Sequence, residues 1–307
     1  RNNDFSEPFD NLLLAKTDIT EAFIPSTIKN IDYYCFYICK NLKKIEFEEP
    51  SSLQSICRNA FLISTIEEFT IPSKVCQLRE GWCSCTKKLT RLSVSLENKF
   101  FKMIENKLLI GKMKDDDQVF NTLVFANRNV ENVIIPSYIE FISSESFEFC
   151  QNLQIVKFED NSKLREIQSM AFLSSNLNSI EIPENVELID KSAFNGCSHL
   201  KKFVFSMNAK LDNLSESVFS CTNIKYLIVP QSVKKIDKFV FFSSPLESIE
   251  FLGDNIDFEY RSIDGIEQLN LLSFPNAKKV TFAKMNDLKN LKNSTLYICS
   301  KGTIKLN

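Results

Sequence analysis

The sequence predicts a solenoid with short parallel β-strands stacked on one face and turns or short helical segments on the other, built from alternating 25- and 22-residue repeats. Three observations predict it. An aliphatic residue stands five before a Phe at Ile31/Phe36, Ile56/Phe61, Ile142/Phe147, Ile167/Phe172, Ile189/Phe194, Leu214/Phe219 and Ile236/Phe241, and Leu78/Cys83 keeps the spacing with a Cys. Successive Phe positions are 25 and 22 apart in alternation, from Phe36 to Cys83 and from Phe147 to Phe241. Each unit then closes on L-x-x-[apolar]-x-[apolar], as Phe194 is followed by Phe203 and Phe205 in a long unit, and Phe172 by Ile180 and Ile182 in a short one. Self-similarity at a fixed period of about 20 to 50 residues marks repeat architectures, because one unit cannot bury its own apolar side and must stack on its neighbours.

Each part of the unit has a physical reading. The closing segment alternates and is rich in β-branched residues, so it reads as a short strand with two side chains inward. It matches the L-x-x-L-x-L core of leucine-rich repeats. Short units end in an apolar residue and Pro, at Ile71-Pro72, Ile182-Pro183 and Val229-Pro230, and Pro closes a strand because it cannot donate to the ladder. The x-A-F segment predicts a turn or short helical piece on the opposite wall, and stacking these turns buries a Phe column. Along the chain this gives an N-terminal cap at 1–23, repeats at 24–98, an irregular hairpin-like insertion at 99–128, repeats at 129–252 and a degenerate C-terminal cap at 253–307. In the insertion, alternation around Leu108–Ile110 and Leu123–Phe125 flanks Asp115, Asp116 and Asp117, a strand pair around an acidic turn.

Composition excludes several functions. The 307 residues are 44% hydrophobic and 25% charged, which is globular composition. Lys and Arg total 37 against 39 Asp and Glu, so no basic field exists for nucleic acid. Six glycines leave almost no material for phosphate loops, and one His nearly removes Ser-His-Asp chemistry and polyhistidine metal sites. No apolar run approaches the roughly 18 residues of a membrane span. The chain starts at Arg1 rather than Met, which implies a fragment or processed form, and any signal peptide or anchor would lie outside it.

The remaining candidates are weighed one by one. Of the ten cysteines, Cys39, Cys150 and Cys197 fall three after the Phe position and Cys85 and Cys221 two after it, most in alternate turns, and they read as thiols packed like small hydrophobes rather than as disulfides. Cys83-x-Cys85 is a single close pair, a weak metal signal without a second. His199 sits in the turn before a strand and reads as a solvated loop residue. Asp115–Asp117 reads as a polar hairpin tip rather than a calcium site. Asn213-Leu214-Ser215 and Asn293-Ser294-Thr295 match glycosylation sequons, as chance alone would produce among so many Asn residues. The outward strand columns carry most information. Most of their residues are polar, but Ile134 and Ile155 form one apolar group and Val204, Tyr226 and Ile228 another. Contiguous apolar side chains on an exposed sheet mark a candidate interaction patch; the alternative is that β-branched residues simply suit strands.

The skeleton I-x-x-I-x-x-x-A-F-x-x-C-x-x-L-x-x-I-x-I-P resembles the BspA-like leucine-rich repeats of surface proteins from oral bacteria and parasitic protists. Residues 185–205 fit it almost letter for letter, whereas Trp82-Cys83 stands where Ala-Phe would. The resemblance implies extracellular adhesion to host matrix proteins or other cells, and supplies no catalytic residue. The resulting expectation is a non-enzymatic solenoid without cofactor or metal. It would bind a protein or glycoprotein through Ile134, Ile155, Val204, Tyr226 and Ile228, at the cell surface or secreted. The alternative is an intracellular scaffold of the same architecture, which the cysteines favour because unpaired thiols suit a reducing compartment. A structural or decoy protein with no single ligand is a third class.

Overall fold

The computed structural model describes residues 10–12, 14–112, 119–283, 295–298 and 302–306. They fall into two units, Arg1–Arg128 and Asn129–Asn307. In each, the L-x-x-[apolar]-x-[apolar] segments form four-residue parallel strands. In the first unit these are β1 (Glu21–Ile24), β2 (Lys44–Phe47), β3 (Glu68–Ile71) and β4 (Arg91–Val94). The second has β5 (Asn132–Ile135), β6 (Ile155–Phe158), β7 (Ser179–Ile182), β8 (Lys202–Phe205), β9 (Tyr226–Val229), β10 (Ser248–Phe251), β11 (Leu271–Phe274) and β12 (Thr295–Ile298). Their inward residues, such as Phe69, Val156, Ile180 and Phe203, are buried. This is the predicted leucine-rich-repeat solenoid.

The aliphatic residue five before each Phe builds a second parallel ladder that the sequence reading did not separate out. It ends a two-residue strand at Asn30–Ile31, Ser55–Ile56 and Gln77–Leu78 in the first unit, and at Phe141–Ile142, Glu166–Ile167 and Leu188–Ile189 in the second. The ladder resumes with Asn213–Leu214 and Lys235–Ile236 and continues into Asn255–Phe258 and Lys279–Phe282. Residues 253–283, read from sequence as part of a degenerate cap, thus pair in the same parallel manner.

The third wall is made of turns; among the described residues there is no helix. The short helical segments offered as an alternative for the x-A-F stretch do not form. The residues two before and two after each Phe are left-handed, as at Tyr34 and Ile38, Asn59 and Ile63, Met170 and Ser174, and Ser192 and Gly196. Two such residues within five forbid a helical run. Backbone donors then bond the next turn instead: Phe36 N–H donates to Ala60 O at 2.7 Å, Phe147 to Ala171 at 2.7 Å and Phe172 to Ala193 at 2.8 Å. The Phe rings inside this wall stack, with centroids 5.0 Å apart for Phe36–Phe61, 4.7 Å for Phe147–Phe172 and 5.0 Å for Phe172–Phe194. Trp82, the departure from the motif, is buried in the first unit's core and meets Phe61 edge-on at 5.9 Å.

Residues Phe101–Ile104, Leu108–Gly111 and Thr122–Ala126 pair antiparallel in the first unit. Asp115–Asp117 lie outside the described residues.

Strand-end prolines govern how tightly the turns close. The residue after a strand ordinarily donates its N–H back to the preceding turn: Glu48 to Ile24 O at 2.9 Å, Ser95 to Ile71 O at 2.9 Å, Glu159 to Ile135 O at 3.0 Å and Leu252 to Val229 O at 3.0 Å. In β3, β7, β9 and β11 that residue is Pro72, Pro183, Pro230 or Pro275, which has no N–H to give. The ladder opens at those steps. Steps into β2, β4, β6, β8, β10 and β12 pair all four residues. Steps into β3 and β7 keep only Lys44↔Glu68 and Ile155↔Ser179. The step into β11 loses its last pair, and β8 and β9 belong to different hydrogen-bonded sheets. The first residues of each open step remain pinned, for Asn178 N–H reaches Gln154 O at 2.9 Å and Asn223 N–H reaches Leu200 O at 3.1 Å. The strands therefore splay toward the proline end.

Candidate functional site

The outward side chains of β5–β9 carry the candidate patch. Strand alternation sends Val204 out between buried Phe203 and Phe205, and Tyr226 and Ile228 out on either side of buried Leu227. Tyr226 is 65% exposed, Ile228 55% and Ile134 63%; Ile155 and Val204 are less open. Ile134 stands opposite Lys157, and Ile155 opposite Asn132, so the two isoleucines are diagonal neighbours on paired strands.

The splayed step between β8 and β9 shapes this surface. It forms a groove of about 410 Å³ lined by Phe203, Val204, Met207, Tyr226, Ile228 and Pro230, with Lys201 and Lys202 at its rim. Met207 is 70% exposed and was missed by sequence reasoning. It lies past the end of β8, where the period-two rule no longer says which way a side chain points. A second groove of about 690 Å³ follows the open step between β6 and β7, and Ile155 and Val204 both line it. Ile155 is thereby brought toward the Val204 group, whereas Ile134 lines neither groove.

Tyr226 is held in place. Its hydroxyl donates to Glu247 Oε2 at 2.7 Å, while Lys225 Nζ donates to Glu247 Oε1 at 2.7 Å. Accepting both bonds keeps the Glu247 carboxyl below the usual carboxylate range. The carboxylate in turn holds the Tyr226 hydroxyl above the ordinary tyrosine value and the Lys225 ammonium above that of lysine. An aromatic ring with a tethered tip loses little rotamer freedom when a partner covers it, which suits a binding anchor.

A family model described as BspA type leucine rich repeat region matches in six copies, over residues 9–109, 118–247 and 174–270. The chain belongs to this BspA-type family. Solved structures share the BspA-type fold at low identity. A leucine-rich cell surface protein from Faecalibacterium prausnitzii is 18% identical with a TM-score of 0.56, over 92% of this chain and 60% of that one. The chain thus spans less than two thirds of that protein. The pneumococcal vaccine antigen PcpA is 19% identical with a TM-score of 0.60, over 94% and 68%. A leucine-rich repeat protein from Eubacterium ventriosum is 19% identical with a TM-score of 0.67, over 94% and 77%. Among curated proteins, no sequence matches.

The other sequence candidates take their places in this BspA-type frame. Cys83 is buried in the core and Cys85 occupies a left-handed position two residues on. The nine described cysteines are thiols; burial pushes those of Cys35 and Cys197 up to about 12. His199 is exposed, its Nδ1 3.4 Å from Ser198 Oγ. Asn213 donates to Asp237 Oδ2 at 3.0 Å, and Asn293 lies outside the described residues. Among the described residues, no three His, Cys, Asp or Glu side chains converge to hold a metal, and no helix is long and apolar enough to cross a membrane.

Proposed function

We propose that the chain is a surface-displayed or secreted adhesin that binds host matrix proteins or other cells through the outward face of β6–β9. One observation carries this reading: Val204, Met207, Tyr226 and Ile228 are exposed together around one groove, with Tyr226 pinned by Glu247. Apolar side chains clustered on an otherwise polar face mark a protein contact, and a central Tyr is a frequent energetic anchor. The test pairs location with binding. Surface biotinylation of intact source cells, with a cytosolic protein as leakage control, is expected to label the chain. A panel of immobilised extracellular matrix proteins is expected to retain it, and Tyr226→Glu with Ile228→Glu to lose that retention. Unlabelled protein abundant in lysate and absent from the medium would overturn the surface reading. Retention unaffected by the double variant would overturn the patch. The buried thiols favour a second reading, an intracellular scaffold binding proteins through the same face.

A further inference from the structure

A second surface has a different chemistry. Where the turns enter β5, β6, β7 and β8, the backbone runs as a chain of hydrogen bonds across successive turns: Gln154 N–H to Glu131 O at 2.7 Å, Asn178 N–H to Gln154 O at 2.9 Å, and Lys201 N–H to Asn178 O at 3.0 Å. Side chains at this position therefore stand one turn apart, about 4.8 Å. At other turns the position is charged, as at Lys43, Glu67, Lys225 and Glu247, or carries a lone hydroxyl or amide, as at Thr20, Thr90 and Asn270; Gln154 and Asn178 set two amides on neighbouring turns. At Gln154 and Asn178 it is an uncharged amide, and there the surface forms a groove of about 370 Å³. Gln151, Asn152, Asn176 and His199 complete its lining with Glu131. No apolar side chain contributes.

Two of these amides are oriented by the fold. Gln151 Nε2 donates to Ser174 O and Asn176 Nδ2 to Gln151 O, both at 2.6 Å. Each keeps a carbonyl oxygen as acceptor. The side chains of Asn152, Gln154 and Asn178 make no hydrogen bond within the described protein. The groove thus offers paired donors and acceptors, little net charge and a regular step close to the length of one sugar ring. Anions find no cation lining it, and apolar ligands find no apolar wall.

We propose that this groove binds a neutral, extended oligosaccharide laid across the turns, its hydroxyl groups bonding the amides of Gln154 and Asn178. The site is separate from the Tyr226 face and does not depend on the adhesin reading.

His199 is the single histidine of the chain, so its two ring C–H protons give an unambiguous pair of NMR signals at the groove. At fixed pH, cellotetraose, tetra-N-acetylchitotetraose and mannotetraose are titrated against the whole chain, with 3′-sialyllactose as the anionic control. A saturable His199 shift with at least one neutral tetraose is expected. Gln154→Ala with Asn178→Ala is expected to weaken it at least about tenfold, as two lost hydrogen bonds imply. Both residues are exposed, and unchanged circular dichroism checks the fold. No shift with any neutral tetraose, a shift equally strong in the variant, or a shift with the anionic sugar alone would overturn the proposal.

Discussion

The faces of β1–β4 and β5–β9 share one backbone plan and differ in how much apolar surface they expose. Both bury the same kind of inward residue: Ile45, Phe69 and Leu92 in one, Val156, Ile180, Phe203 and Leu227 in the other. Outward, β2–β4 carry charge and hydroxyls. Lys44 pairs with Glu46, Arg91 Nε lies 3.1 Å from Glu68 Oε2, and Thr70 and Ser93 hydroxyls are 2.8 Å apart. Exposed Phe23 on β1 is the exception. The face of β5–β9 keeps Lys157 and a Lys202–Glu181 ion pair of 2.7 Å, and sets Ile134, Ile155, Val204, Tyr226 and Ile228 among them. Period-two alternation uncouples the two sides of a strand, so the core can repeat while the face diverges. Stability resides in what the units share, and the proposed recognition surface in what they do not.

The shared core is the place to break that equivalence hardest. Phe172 is fully buried between Phe147 and Phe194, and Phe172→Ala should cost about 3 to 5 kcal/mol in urea denaturation. A loss under about 1 kcal/mol would mean the column is not what holds the turns together. The faces should respond in the opposite sense. Tyr226→Glu with Ile228→Glu should weaken matrix-protein retention at least about tenfold with little change in stability. The matched change on the other face, Thr70→Glu with Ser93→Glu, should leave retention intact; equal losses from both pairs would erase the distinction.

The open steps sharpen the comparison further. Pro230→Ala restores the missing donor opposite β8, and amides of β8 and β9 should then exchange about fivefold more slowly, the worth of one hydrogen bond. Exchange at β9–β10 should not change. Unaltered exchange at β8–β9 would detach the opening from the proline. A smaller effect separates the turn walls. Ile63 and Gly196 occupy the same left-handed repeat position in the two units. Relieving strain at Ile63 against glycine's greater chain entropy, Ile63→Gly should stabilise by about 0.5 kcal/mol. Gly196→Ile should destabilise, since a Cβ there meets Ser174 Oγ at 2.9 Å. The smallest effect is the pH response of the Tyr226 tether. Because Glu247 sits below its ordinary value, its contribution is complete above about 4.3 and fades as pH falls through the lowered value. Because the tyrosine is raised, its contribution is complete below about 10 and is lost as pH rises through the raised value. Glu247→Gln should let Tyr226 ionise at lower pH, read as tyrosinate absorbance against Tyr226→Phe.

The repeat was legible because burial repeats: every inward Ile, Leu or Phe meets its counterpart one turn away, and such contacts leave a period. The outward columns were legible for the same reason, which is how Tyr226 and Ile228 could be placed on a face before any coordinates. Other features leave no period. The groove depends on Pro230 withholding a donor from a strand 24 residues earlier, and Met207 depends on where β8 stops. The left-handed pairs around each Phe are filled by Tyr, Ile, Asn, Met, Ser and Gly alike, so residue type alone could not announce them. Trp82 breaks the motif yet joins the core, its ring 5.9 Å from Phe61 and 6.0 Å from Phe125.

The prolines also bear on mechanics. Around β3, β7 and β9, fully bonded turns alternate with turns held by one strand pair or none, giving stiff doublets joined by compliant seams. A pull applied to one end should extend the seams first, reversibly and at low force, before any doublet tears. A tether built this way would stretch under shear flow without losing its core.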